Sequence, residues 1–83
     1  MPRFIDHHDP FPMPPADQLA ALRVRANAPA GTDGVKMVNV LFATDGSADC
    51  ISDAPSADAV IAAHAAIGVP LEAHAIREVT ALV

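Results

Sequence analysis

Apolar and polar residues alternate from Arg3 to His8, which predicts a strand with Phe4, Asp6 and His8 on one face and Arg3, Ile5 and His7 on the other. Pro10, Pro12, Pro14 and Pro15 then remove amide donors and fix an extended connection. From about Pro15 to Asn27 the period changes to that of a helix, with Leu19, Leu22 and Ala26 as a narrow apolar stripe. A proline in the first turn is tolerated, because its missing N–H would have no partner there. Asp17 near the start and Arg23 and Arg25 near the end complement the helix dipole. Val35 to Thr44, rich in Val, Leu and Phe, is the next predicted strand. Asp45-Gly46 supplies the reversal, and Asp49 to Ala54 returns as a third strand. A second helix follows over 56–67, capped by Ser56 and closed by Gly68 and Pro70, with the stripe Val60, Ile61, His64 and Ile67. His74 to Leu82 completes the set, placing His74, Ile76, Glu78 and Thr80 on one face of a final strand.

The order βαββαβ predicts a single α+β domain over 1–83 of ferredoxin-like type, with two helices on one face of a four-stranded antiparallel sheet. The second strand is apolar on both faces, Val38, Val40 and Phe42 against Met37 and Leu41. A second copy of the chain is the simplest cover for the outer face, so a homodimer is expected.

Composition strengthens that expectation. The chain has 83 residues and 52% hydrophobic content, but much of this is alanine, and its aromatics are Phe4, Phe11 and Phe42. Alanine buries little area, at about 25 cal/mol per Å², so the core is thin. The net charge is −5 and the five bases are scattered, which argues against nucleic acid and anionic membrane surfaces as partners. The single cysteine, Cys50, allows no internal disulfide and suits a reducing compartment. No leader is visible at the polar N-terminus, and no apolar run approaches the ~20 residues of a membrane span, so a cytoplasmic protein is expected.

Candidate chemistry concentrates at Asp6-His7-His8-Asp9. Residues two apart on a strand point the same way, about 6.6–7 Å along it. Asp6 and His8 therefore can offer a carboxylate and an imidazole to one cation, while His7 faces away. That donor pair suits divalent nickel, zinc or copper better than magnesium or calcium. Cys50, His64, His74 and Glu78 are the candidates to complete the ligand set. Each also has a plain reading. Cys50 can be a small buried hydrophobe, His64 a core histidine bonded to a backbone carbonyl, and His74 and Glu78 parts of a hydrated sheet edge. An imidazole must be neutral to ligate, so binding is expected to fade below about pH 6, just under its reference pKa of about 6.5. A Gly-rich phosphate loop, a GxSxG elbow, CxxC and HExxH are all missing from the sequence.

The segment Cys50-Ile51-Ser52-Asp53-Ala54-Pro55, followed by a capped helix with His64, then Gly68, Pro70 and Ile76-Arg77-Glu78-Val79, resembles a family of small ferredoxin-like proteins. That family is classed as a domain of unknown function and includes a nickel-binding bacterial homodimer. Phe4-Ile5-Asp6-His7-His8 is similar to its first strand, where Asp-x-His is common. The chain departs from the family in lacking a first-helix histidine and an aromatic residue after Gly34-Val35. The resemblance implies a non-catalytic, nickel-type metal binder. Two other functions fit the same residues. One is a dimeric α+β barrel enzyme or small-molecule binder with His8 or His64 as general base. The other is a ligand-free structural or regulatory dimer.

Overall fold

The structure, a computed structural model, describes residues 1–82. Its elements are β1 (Arg3–His8), α1 (Ala16–Ala26), β2 (Lys36–Phe42), β3 (Ala48–Asp53), α2 (Ala57–Ala66), a short 3-10 turn (Ala73–Ala75) and β4 (Ile76–Val79). The strands form one antiparallel sheet in the order β2-β3-β1-β4. This is the ferredoxin-like arrangement that the sequence predicts. Its consequence for function is that β1 and β3 lie side by side in the middle, where alternate side chains are buried.

The alternation is strict on both central strands. Phe4, Asp6 and His8 on β1 are buried, as are Ala48, Cys50 and Ser52 on β3. The register sets Phe4 opposite Ser52, Asp6 opposite Cys50 and His8 opposite Ala48. Residues directly opposite project to the same side, so all six point under the helices. The core proper is Phe4, Ala54, Val60 and Leu71, with Val35, Ala57, Ile61 and Ile76 packed against it.

Helix α2 seats this core. Ser56 accepts a hydrogen bond from the Ala59 amide, as expected of a cap. Val60 and Ala63 are buried, whereas Ile67, counted in the sequence stripe, is the C-cap residue and is exposed. The helix ends at Ala66, and Gly68, just past the C-cap, takes a positive φ of 77° that turns the chain away from the helix. Helix α1 is different in kind and has no buried residue. Its predicted stripe of Leu19, Leu22 and Ala26 is only half-buried over β2. A cavity of about 290 Å³ remains there, lined by Leu19, Leu22, Met37, Val40 and Phe42 among others.

Two strands depart from expectation. The β2–β3 register shifts between Met37 and Asn39, leaving Val38 as an extra residue. Met37, Val40 and Phe42 consequently sit opposite the buried Ser52, Cys50 and Ala48, and Leu41 opposite Asp49. Met37 therefore shares a face with Phe42 instead of opposing it. The final strand starts at Ile76, not His74, because the Ala75 amide bonds back to the Glu72 carbonyl at 2.9 Å. Alanine has little preference for strand, so Ala73-His74-Ala75 folds as a local turn. Among the described residues no helix is long and apolar enough to cross a membrane.

This unequal seating of the two helices has a measurable consequence. Phe4→Ala is expected to cost about 3–5 kcal/mol, much of a stability that small domains hold at roughly 5–15 kcal/mol. Leu22→Ala on the loosely seated α1 is expected to cost clearly less. Urea denaturation of both variants checks the order, and equal losses would contradict it.

Candidate metal centre

Three elements bring the polar side chains together. On β1 the pleat turns Asp6 and His8 inward. On β3 the register sets Cys50 directly across from Asp6. From above, α2 lowers His64 onto the pair, its position fixed by Val60 one turn earlier in the core. The donor atoms of Asp6, His8, Cys50 and His64 all lie within 4.8 Å of one another, a group able to hold a metal ion.

The geometry centres on one carboxylate. Asp6 is fully buried. Its Oδ2 lies 2.5 Å from His8 Nε2 and 3.2 Å from His64 Nε2. Its Oδ1 is buried and has no hydrogen-bond partner among the described residues. An unpaired buried carboxylate oxygen costs roughly 1–3 kcal/mol or more, so it calls for a partner, whether a water or an ion. The two imidazoles are nearly parallel, with centroids 5.2 Å apart and planes inclined by 22°. Phe11 lies against the outer side of His8, ring centroids 5.4 Å apart. The proline-rich segment holds it there through the Phe11 amide, which donates to the Gly46 carbonyl at 2.7 Å.

His64 Nδ1 lies 2.8 Å from the Val60 carbonyl. A carbonyl only accepts, so Nδ1 must carry a hydrogen, and a neutral His64 then presents a bare lone pair at Nε2. That lone pair faces another acceptor, the Asp6 carboxylate. The arrangement is satisfied by a proton between ring and carboxylate or by a cation between them. Without a metal the proton is held strongly. The hydrogen bond to Asp6 first, and the one to Cys50 second, raise the His64 pKa from 6.5 to about 10, outweighing the opposing effect of burial.

The remaining sequence candidates lie elsewhere. His7 points to the open face, where its Nδ1 is 2.8 Å from Asp49 Oδ1. The structure does not bring His74 and Glu78 to the group. The turn at Ala73–Ala75 rotates His74 outward, where it pairs with Glu72 at 3.2 Å with both side chains about four-fifths exposed. Glu78 lies opposite Phe4 and is exposed, while Ile76 takes the position beside Asp6. Sequence reasoning expected a backbone carbonyl beside His64 without naming that of Val60, and it passed over Phe11. The first had a signal, since Val60 and His64 are four apart on a helix, the spacing at which a side chain meets the preceding turn.

No protein-family model matches the chain and no curated protein matches it. A solved structure does, that of SCO4226 from Streptomyces coelicolor A3(2). The two are 26% identical, with a TM-score of 0.72, over 98% of this chain and 99% of that one. The likeness spans the whole βαββαβ unit.

A pH test follows from His64. Its folded pKa is raised, so the stability it contributes is fully present below about 6.5 and is lost as pH rises through about 10. In metal-free protein the urea midpoint should fall between pH 7 and pH 10. His64→Gln should flatten that fall, and an unchanged slope in the variant would remove His64 as its source.

Proposed function

We propose that this protein is a non-catalytic binder of a divalent transition metal, nickel or a close neighbour, held by Asp6, His8, Cys50 and His64. The observation that carries this reading is the buried carboxylate with two imidazole Nε2 atoms aimed at one oxygen and no partner on the other. A cation resolves that arrangement and stands in for the proton that His64 otherwise keeps. Two imidazoles, a carboxylate and a thiolate suit nickel, zinc or copper, and disfavour magnesium and calcium. Four protein donors in a buried setting leave no open position for a substrate, as in storage or structural sites rather than catalytic ones. The sequence resemblance to a family with a nickel-binding member supports nickel among these ions.

Calorimetric titration of nickel into wild type, His7→Ala and His8→Ala tests the reading. His8→Ala should lose at least about 100-fold in affinity, more than the roughly 10–100-fold cost of an outer-shell partner. His7→Ala should stay near wild type. Cys50→Ser, nearly isosteric, should remove any thiolate-to-nickel charge-transfer absorption while keeping the fold. Because His64 holds its proton to about 10, affinity should keep rising by about tenfold per pH unit well above 6.5. This moves the pH window upward from that of an ordinary imidazole. Equal affinities in all variants, or none in wild type, would overturn the proposal.

We further infer that the chain pairs with a second copy through the sheet face opposite the helices. There Ile5, Ile51 and Val79 are half-buried and Leu41 is 48% exposed. The ion pairs Arg3–Asp53 and His7–Asp49 lie on the same face. The bulge at Val38 leaves this apolar strip smaller than the sequence pattern suggests. Sedimentation should show twice the 8.6 kDa chain mass at micromolar concentration. Leu41→Lys should shift it to monomer, and a monomeric wild type would refute the pairing.

A further inference from the structure

The buried donor group must be reached by its ion, and His8 is the donor that lines an open cavity. This cavity, of about 570 Å³, lies between the end of β1 and the segment leading into β4. Beyond His8 its walls include Asp9, Phe11, Leu71, Glu72 and His74. Among the described residues no lysine or arginine lines it. Asp9 and Glu72 are exposed carboxylates, and Glu72 lies 3.2 Å from His74 Nδ1. An inner donor and outer donors of the same chemistry thus line one cavity.

We propose that this cavity is the loading route of the metal centre, with Asp9, Glu72 and His74 as a transient capture station that hands a divalent ion to His8. The inference rests on the metal-binding reading of the buried group. Two physical effects support the hand-off. A carboxylate-lined recess with low-dielectric walls concentrates cations and raises on-rates by about 10–10³-fold. Oxygen and imidazole donors at the rim also let the ion exchange water for protein ligands in steps instead of losing its shell at once. His74 and Glu72, which the strand pattern placed in the ligand set, are then outer groups that the ion leaves behind.

Stopped-flow mixing of metal-free protein with nickel chloride at low salt, with chelator extraction as the reverse arm, tests this. In Asp9→Asn/Glu72→Gln/His74→Ala, loading should slow by about tenfold or more. Extraction should slow in parallel, leaving equilibrium affinity within about threefold, because a route alters both directions alike. Asp17→Asn/Asp58→Asn removes two carboxylates that do not line the cavity and should load like wild type. Unchanged rates in the first variant, or an equal slowing in the second, would overturn the route while leaving the metal centre standing. A loss of affinity without slowed extraction would overturn it too, by making these groups ligands. A wild type that takes up no nickel would sink the route and the metal centre together.

Discussion

Everything distinctive in this molecule turns on placing a carboxylate where water does not reach. Asp6 sits in the middle of the sheet, beneath a helix, with no exposed surface. Burying an unpaired charge is among the most expensive acts in folding. The surrounding residues meet that cost with two imidazoles and a thiol instead of a lysine or arginine. A guanidinium would have closed an ion pair. Imidazoles leave room for either a proton or a cation beside the carboxylate.

The same constraint explains the uneven packing. α2 is anchored by Val60 and Ala63 and carries His64 to within 3.2 Å of Asp6. It must hold its place, since a shift of about an ångström would separate ring from carboxylate. α1 carries no donor and is seated loosely over β2, with a cavity beneath it. Packing quality follows the site. The thin alanine-rich core is spent where His64 needs support, between Phe4, Ala54, Val60 and Leu71.

Both plain readings available for the central residues turn out to be compatible with the functional one. His64 does bond a backbone carbonyl, as a core histidine would. Yet that bond also fixes the tautomer, so that the ring atom turned toward Asp6 is Nε2, free to take a second proton or a cation. Cys50 is indeed a buried small side chain, and it is also in register with Asp6. Burial does not exclude ligation when the candidate donors themselves lie in the core.

The period-two pattern of Phe4-Ile5-Asp6-His7-His8 was enough to place Asp6 and His8 on one face and His7 on the other, because alternation is a local property of extended backbone. The element order sufficed for the βαββαβ topology, since turn and cap residues act within a few positions of themselves. The sequence offered Cys50, His64, His74 and Glu78 as company for Asp6 but did not decide among them. Cys50 and His64 reach Asp6 through the register of β1 against β3 and the height of the helix, quantities set by strand pairing, the length of α2 and the packing of Val60. His74 had the right alternation but fell outside the strand, because a hydrogen bond from Ala75 to Glu72 delayed β4 by two residues, whereas Glu78 kept its place on β4 but paired with Phe4 while Ile76 paired with Asp6. The His64 pKa of about 10 was likewise beyond the sequence, for it arises from a lone pair facing a carboxylate across 3.2 Å. Local chemistry sets which way a side chain points. Only tertiary packing decides what it meets.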